Sequence, residues 1–345
     1  APHGGRFFIF LFLLKFYDPM KLEEQLFNIQ NEADFLKVSL QVFQFQYQHS
    51  EVYRKFCDLL NTKPQQVTRL EEIPFLPIEF FKTHRVLSSA EKIKETFTSS
   101  GTTGNLTSKH LVTDLKLYEQ SFINAFEGFY GPIEDYVTLA LLPAYLERKG
   151  SSLIYMANYF IEHSKHSESG FYLDELEQLT SLLLQLEKEK KKVLLIGVSF
   201  ALLDLVEQHQ FSLKNTVIME TGGMKGRRKE MIRKELHQIL KEGFGVEKIH
   251  SEYGMTELLS QAYSQGDGIF NCPKHMKILL RDTEDALSYV EDGKTGGINV
   301  IDLANLNSCS FIATQDLGKK INTNAYEILG RFDNSDIRGC NLMVL

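Results

Sequence analysis

The feature that most constrains the fold is an alternation of strand-like and helix-like segments between about residues 93 and 264. The strand-like segments are short apolar runs, and the helix-like ones have apolar residues at three-to-four spacing. We predict strands at 136–142, 192–198, 215–220 and 247–253, and helices at 113–128, 171–190, 199–209 and 226–242. This alternation predicts an α/β fold with a largely parallel sheet flanked by helices, and with ligand-binding loops at the carboxyl ends of its strands.

The segments on either side of this core have different patterns. The region 20–61 is predicted to be helical because its apolar residues recur at helical spacing, as in Leu22, Leu26, Phe35, Val38, Val42 and Phe45. Pro74 and Pro77 resist helix formation, so we expect 71–82 to be extended. After about residue 265 the helices give way to shorter strand-like runs, "MKILL", "GGINVIDL", "CSFIAT" and "YEILGRF". These patterns divide the chain into 1–19, a helical 20–92, an α/β core 93–264 and a β-rich closing subdomain 265–345.

The first nineteen residues do not fit the rest of the chain. The apolar stretch "RFFIFLFLLKF" (6–16) is shorter than the roughly 20 residues that a bilayer-spanning helix needs. No small-residue cleavage site follows it, as a signal peptide would require. We interpret 1–19 as an upstream or non-native segment and expect no stable membrane insertion. A peripheral membrane contact is the alternative.

Composition narrows the function classes. The formal net charge is −7 and no dense Lys/Arg patch occurs, which argues against nucleic-acid binding. The four cysteines, Cys57, Cys272, Cys309 and Cys340, are far apart and form no CxxC pair. Neither a zinc site nor a dense disulfide framework is indicated, and we expect a reducing, cytoplasmic location.

A loop rich in Gly, Ser and Thr, "TSSGTTG" (98–104), is the strongest local candidate for a binding site. Its glycines allow unusual backbone angles, and its hydroxyls and N–H groups can donate to phosphate oxygens. It differs from the GxxxxGK[ST] loop of P-loop NTPases. Taken alone, the same composition is equally typical of a flexible turn.

Five segments, in order, resemble the motifs of AMP-forming adenylating enzymes. They are "SSGTTG" (99–104), "TGGMKG" (221–226), "EYGMTE" (252–257), "TQDLG" (314–318) and "GRFDNSDIRG" (330–339). Three further segments resemble the bacterial acyl-protein synthetases of the LuxE type, namely "FLPIEFFKTHRV" (75–86), "LLPAYLERKGSSLIYM" (141–156) and "GRFDNSDIRGCNLM" (330–343). This resemblance implies the large N-terminal domain of adenylate-forming enzymes. Twelve residues follow Asp333, so we expect no full small C-terminal domain.

The resemblance implies a nucleotide site with assigned roles. The phosphates of ATP would be held by Ser99, Ser100, Gly101, Thr102, Thr103 and Gly104. Lys109 and His110 would lie just downstream as candidate catalytic residues, Lys109 as a possible contact of phosphate and His110 of phosphate or the acyl substrate. A structural histidine is an equally good interpretation of His110. The adenine would lie along Gly222, Gly223 and Met224, where an ordinary strand-to-helix turn is the alternative.

The remaining roles concern purine, ribose, phosphate and metal. Tyr253 would stack on the purine, or else be a core tyrosine at a strand end. Thr256 would bind the α-phosphate, and Glu257 would ligate Mg²⁺ or else begin a helix. Asp316 would accept from the ribose hydroxyls and Arg331 would reach ribose or phosphate, with a surface Arg–Asp pair as the alternative.

Cys340 has the position of the acyl-accepting cysteine of the LuxE-type enzymes. A thiolate is the reactive form of such a residue, whereas a buried, inert Cys340 is the alternative. The lysine that assists adenylation elsewhere in the superfamily belongs to the small domain. Either this chain lacks the help of that lysine, or another lysine such as Lys109 or Lys225 substitutes for it.

The resemblance therefore implies an enzyme that uses ATP and Mg²⁺ to convert a long-chain fatty acid into an acyl-adenylate. The acyl group would pass to the cysteine and then to a partner acyl reductase. Three alternatives stay open at this point. The first is an AMP-forming acyl-CoA ligase, and the second is a synthetase of a polyketide-like or polysaccharide pathway that transfers the acyl group to a hydroxyl or an amine. The third is a non-catalytic adenylate-binding scaffold subunit.

Overall fold

The computed structural model describes residues 19–99, 106–142, 150–172, 175–222, 228 and 231–331. Within these ranges the helices are α1 (Pro19–Phe27), α2 (Glu32–His49), α3 (Glu51–Leu59), α4 (Phe80–Thr83), α5 (Leu115–Tyr130), α6 (Ser152–His163), α7 (Leu176–Lys188), α8 (Ser199–Gln208) and α9 (Arg233–Phe244). The first eight strands along the chain are β1 (Leu76–Pro77), β2 (Glu95–Thr98), β3 (Lys109–Val112), β4 (Val137–Leu141), β5 (Gly170–Tyr172), β6 (Val193–Gly197), β7 (Thr216–Glu220) and β8 (His250–Tyr253). The later strands are β9 (Ala262–Ser264), β10 (Ile269–Asn271), β11 (Met276–Arg281), β12 (Thr295–Asp302), β13 (Phe311–Asn322) and β14 (Ala325–Arg331).

One large sheet runs through most of the molecule, in the order β11-β12-β13-β14-β10-β9-β8-β7-β6-β4-β5, with β1 added beside β13. The strands from β5 to β8 in this order are parallel. The turn to antiparallel pairing occurs between β8 and β9, and the following neighbours stay antiparallel. The predicted α/β class, with a β-rich region toward the C-terminus, is confirmed.

The four parallel strands predicted from sequence are present as β4, β6, β7 and β8, each one to three residues shorter at an end. β4 and β6 are buried along their whole length, as expected for strands covered by helices on both faces. The helices α5 to α9 pack on these strands in one apolar core, which includes Phe122, Phe160 and Leu183. Helices α8 and α9 pack closely within this core, because a Cβ on Gly243 of α9 would lie only 2.3 Å from Cβ of Val206 on α8.

The N-terminal helices pack against the antiparallel half of the sheet, although the two regions are far apart in sequence. The six apolar positions whose spacing predicts helix are all buried, namely Leu22, Leu26, Phe35, Val38, Val42 and Phe45. Phe43 and Tyr53 both contact Phe311 of β13, with ring centroids 6.0 and 6.1 Å apart. Both helices are capped as their sequences suggest, because Asn31 and Ser50 accept hydrogen bonds from the first turns of α2 and α3. These contacts belong to a second apolar core. The predicted domain boundaries stay a prediction.

Three features differ from the sequence expectations. The segment 71–82 is not wholly extended, because a short 3-10 helix at Leu70–Glu72 and the single turn α4 flank β1. The predicted helix 171–190 begins only at Leu176, since Gly170–Tyr172 forms edge strand β5. The sequence patterns did not predict the hairpin β2–β3 or helix α6. Among the described helices, none has the length and apolar character needed to cross a bilayer.

Candidate active site

The end of β8 and the loop that follows it carry three of the predicted site residues. Tyr253 ends the strand, and Thr256 and Glu257 occupy the centre of a β-turn closed by the hydrogen bond from Leu258 N to Met255 O, 3.1 Å. The alternative that Glu257 begins a helix is therefore wrong. The Glu252 side chain packs against Gly254, so that a Cβ at this position would lie 2.3 Å from Oε1 of Glu252 and would displace that side chain.

Tyr253 and Asp316, predicted from two motifs 63 residues apart, are in contact. The Tyr253 hydroxyl donates to Oδ2 of Asp316 at 2.7 Å. Arg331, opposite Asp316 in the β13–β14 register, places Nε 3.8 Å from Oδ1. Burial raises the pKa of Asp316, while the Tyr253 hydrogen bond and the Arg331 charge act against that rise. The three residues thus form one polar group at the end of β8.

Glu257 is 5% exposed, and its surroundings connect it to the rest of the site. Burial raises the pKa of its carboxyl, whereas a hydrogen bond from Ser108 and the charges of Arg331 and Lys82 lower it. Arg331 therefore acts on both Glu257 and Asp316. The two acids predicted to bind metal and ribose share one electrostatic environment.

The predicted phosphate loop begins beside Glu257. Ser99 Oγ accepts from Ser108 N at 2.9 Å, and Ser99 N donates to Ser108 O at 3.2 Å. Because Ser108 also donates to Glu257, the first residue of the loop is one side chain away from that carboxylate. The other loop residues, Ser100, Gly101, Thr102, Thr103 and Gly104, lie outside the described residues, and so do Gly223, Met224 and Cys340.

His110 and Lys109 lie on opposite faces of β3. His110 is buried against Phe81, and each ring nitrogen has a protein partner: Nδ1 lies 2.9 Å from Thr256 O, and Nε2 lies 2.9 Å from Ser308 Oγ. Burial lowers the pKa of His110 to about 4, so the ring is neutral. Lys109 is exposed, as the alternation of side chains along a strand requires. Direct contact of either residue with phosphate stays a prediction.

Gly222 begins the predicted adenine loop in a left-handed conformation, with φ at +67°. Its N–H donates to Oε2 of Glu220 at 2.8 Å. Burial would raise the pKa of Glu220, but His237, Arg233 and the Gly222 N–H together hold it at about 2. Glu220 is thus an ionised anchor that fixes the start of this loop.

Glu252, in contrast to the ionised Glu220, has a pKa that favours its neutral, protonated form. Burial and the nearby Glu220 carboxylate raise its pKa from 4.5 to about 8. Between pH 4.5 and pH 8 the Glu252 carboxyl keeps its proton in the folded protein but releases it in the unfolded chain. Its contribution to the free energy of unfolding therefore declines as the pH rises toward 8.

We expect Glu252→Gln to be more stable than the wild type at pH 8, by about 2 kcal/mol, and to gain little at pH 4.5. The amide keeps the shape of the protonated acid and removes the titration. Urea unfolding at pH 4.5, 6.5 and 8 measures the difference. A variant that is less stable than the wild type at pH 8 would contradict a protonated Glu252.

Several residues of this site had no prediction. Ser108, Asn305 and Ser308 make hydrogen bonds to predicted residues from elements distant in sequence. Glu220 accepts from the N–H of nearby Gly222, and Lys82 acts on Glu257 through its charge. A signal existed for Lys82, which lies inside the segment 75–86 that resembles the acyl-protein synthetases. In the parts of the chain that the structure describes, no three His, Cys, Asp or Glu side chains cluster as a protein-only metal site would.

Comparison with solved structures identifies the fold class. A crystal structure of 2-hydroxyisobutyryl-CoA ligase, in complex with 2-HIB-AMP and CoA, matches with a TM-score of 0.66 at 14% identity, covering 89% of this chain and 72% of that one. An ATP-bound RpMatB-BxBclM chimera matches with a TM-score of 0.54 at 17% identity, over 70% of this chain and 48% of its own. The fold is that of adenylate-forming ligases.

The family follows from sequence comparison. The family described as "Acyl-protein synthetase, LuxE" matches residues 13–121 and 144–345, and the chain belongs to this family. The long-chain-fatty-acid–luciferin-component ligase of Aliivibrio fischeri is 23% identical over 339 residues, covering 89% of this chain and 86% of its own length. The ligase of the same name from Photorhabdus luminescens is 38% identical over 69 residues, or 20% of this chain and 59% of its own. The protein is therefore an enzyme of the ligase class that activates an acid.

Proposed function

We propose that the enzyme activates a long-chain fatty acid with ATP and then accepts the acyl group on Cys340. In the first step a carboxylate oxygen bonds to the α-phosphorus of ATP, and the bond to pyrophosphate breaks. In the second step the Cys340 thiolate attacks the acyl carbon, and AMP leaves with the electron pair of the C–O bond. A partner acyl reductase would then receive the acyl group. The names of the two relatives support the choice of acid.

One observation carries the proposal: residues from three separate motifs converge at the carboxyl end of β8. Ser99 reaches Glu257 through Ser108, and Glu257 and Asp316 share the charge of Arg331. Ligand sites of α/β sheets lie at the carboxyl ends of the strands. An activating enzyme must hold nucleotide and acid in one orientation, and this convergence supplies a single place for both.

The roles within this site follow from the chemistry of each group. The hydroxyls and N–H groups of the loop 99–104 would hold the β- and γ-phosphates, and Thr256 would donate to the α-phosphate. Asp316, oriented by the Tyr253 hydroxyl, would accept from the ribose. The loop that begins at Gly222, together with the ring of Tyr253, would enclose the adenine.

Glu257 is the residue that would hold Mg²⁺. It is buried, and among the residues that the structure describes it belongs to no cluster of three or more potential metal ligands. This fits an ion whose remaining ligands are phosphate oxygens and water. When bound, the ion supplies positive charge that offsets the charge of the phosphates. Glu257 must be ionised for this role, and the charges of Lys82 and Arg331 favour that form.

The described cysteines support Cys340 as the acyl acceptor. Cys57, Cys272 and Cys309 are free thiols, of which Cys57 and Cys309 are buried. Burial raises the pKa of Cys57 and Cys272 to about 12, and that of Cys309 still further. The thiolate is the nucleophile, so these three residues are poor acceptors at neutral pH. We also propose a cytoplasmic location, because free thiols persist in a reducing compartment.

The test uses the intact chain with a panel of radiolabelled straight-chain fatty acids, ATP and MgCl₂. We expect acid-dependent exchange of pyrophosphate into ATP, and a label on the protein that survives denaturing electrophoresis and is removed by neutral hydroxylamine. A label found only in free CoA thioester, in a parallel reaction with CoA, would identify an acyl-CoA ligase instead. Absence of exchange with every acid would favour the scaffold role.

A further inference from the structure

A buried segment that ends strand β12 connects the N-terminal helices to the candidate active site. We call Asp302–Ser308 the clamp segment; it comprises the end of β12, the 3-10 helix Leu303–Asn307 and Ser308. From one side the Gln46 amide of α2 donates to the carbonyls of Asn305 and Leu306, each at 2.9 Å. The Ser88 hydroxyl donates to Leu306 O at 2.7 Å. The clamp segment is therefore fixed independently of the loop after β8.

On its other side the clamp segment holds the base of the loop after β8. Oδ2 of Asp302 accepts from the N–H groups of Leu259 and Ser260 at 2.7 and 2.9 Å. Ser260 also donates its hydroxyl to Oδ1 of the same carboxylate. These contacts fix the loop on the C-terminal side of Glu257.

Two further contacts fix the backbone at Thr256 and Glu257 themselves. Asn305 Nδ2 donates to Glu257 O at 2.8 Å. His110 Nδ1 donates to Thr256 O at 2.9 Å, and its Nε2 accepts from the Ser308 hydroxyl at 2.9 Å. A carbonyl can only accept, so Nδ1 carries the ring proton and the neutral ring uses both nitrogens.

These two carbonyls belong to the two peptide groups on either side of the Glu257 Cα. Each peptide group is planar, so fixing both of them fixes φ and ψ of Glu257. The direction of its Cα–Cβ bond follows from those two angles, and the hydrogen bond from Ser108 holds the carboxylate at the far end of the side chain. His110 controls the first peptide group and Asn305 controls the second.

We propose that His110 is a positioning residue for adenylation, which sets the orientation of Glu257 through the Thr256 carbonyl and has no contact with substrate of its own. The inference rests on the proposed function, because it assigns Glu257 to Mg²⁺. It also gives His110 a role different from the phosphate contact suggested by its place after the glycine-rich loop. The neutral ring, whose pKa burial lowers to about 4, agrees with such a role.

Two variants separate positioning from general packing. Asparagine places its amide nitrogen about where Nδ1 lies, so His110→Asn can keep the bond to Thr256 O. Glutamine reaches the position of Nε2, so His110→Gln can keep the bond to Ser308 only. Each variant keeps one of two buried hydrogen bonds, and we expect similar losses of melting temperature.

Acid-dependent pyrophosphate exchange is then measured against MgCl₂ concentration in the full-length enzyme. For His110→Gln we expect a maximal rate about tenfold lower or more, and a half-saturating Mg²⁺ concentration raised several-fold, since small misplacements of a site residue have large rate effects. For His110→Asn we expect both values within about threefold of the wild type.

The outcomes separate this inference from the proposed function. Equal impairment of the two variants, or an unchanged Mg²⁺ dependence in His110→Gln, would overturn the positioning role while exchange by the wild type upholds the proposed function. A wild-type enzyme without exchange for any acid would instead overturn the proposed function, and the inference with it.

Discussion

Replacing Glu257 by glutamine is expected to lower acid-dependent pyrophosphate exchange by at least about 100-fold, without lowering the melting temperature. The amide has the size of the acid but no charge, so it is a poor ligand for Mg²⁺. Burial disfavours the ionised form of Glu257, as its raised pKa indicates, so a neutral side chain of the same shape fits the folded protein at least as well. Activity and stability should therefore change independently.

The measurement pairs exchange assays with thermal unfolding of the same preparations. Glu91→Gln is the matched control, because Glu91 is exposed in a loop and no predicted role depends on it. We expect the control to match the wild type in both assays. Exchange within twofold of the wild type in Glu257→Gln would remove this residue from the metal role.

The fold was predictable where a local pattern determines it. Strands β4 and β6 lie in largely apolar runs of sequence between helical segments, and both form buried strands in the folded protein. Edge strand β5 has three residues and strands β2 and β3 have four each, which is too short for a periodic signal. The pairing of β1 with β13, some 236 residues later, is a tertiary event that no local window contains.

The site was predictable only in its motif residues. Tyr253 and Asp316 were found because each lies in a recognisable motif, and the structure brings them to 2.7 Å. Ser308 and Asn305 were missed because their partners, His110 and Glu257, are 198 and 48 residues away, and because Ser and Asn have no distinctive local pattern. Such supporting contacts become visible only when the chain is folded.

Gln315 in the "TQD" motif departs from the Thr-Gly-Asp motif of the adenylating enzymes that this segment resembles, and its side chain has a hydrogen-bond partner in the structure. The superfamily pattern has glycine where this chain has Gln315, immediately before Asp316. The Gln315 amide donates to the carboxylate of Glu79 at 2.5 Å, in the segment 75–86 that resembles the acyl-protein synthetases. Gln315 therefore links strand β13, beside the predicted ribose-binding Asp316, to the segment that resembles the acyl-protein synthetases.

Replacing Cys340 by serine is expected to abolish the hydroxylamine-sensitive acyl label while pyrophosphate exchange stays within about threefold of the wild type, about 0.7 kcal/mol in barrier height. Exchange reports only the first step, which precedes attack by the thiol. A serine hydroxyl is far less acidic than a thiol, and any oxygen ester that it formed would resist neutral hydroxylamine. Denaturing electrophoresis with and without hydroxylamine, beside the exchange assay, measures both steps on one preparation.

Cys272→Ser is the matched control, because Cys272 is a partly exposed free thiol whose pKa burial raises to about 12. It should keep both the label and the exchange. A label that persists in Cys340→Ser and disappears in Cys272→Ser would make Cys272 the acceptor. Loss of exchange together with the label would mean that Cys340 acts before the thiol step. If the label is lost and exchange is retained, activation of the acid around Glu257 and its transfer to Cys340 are separate steps.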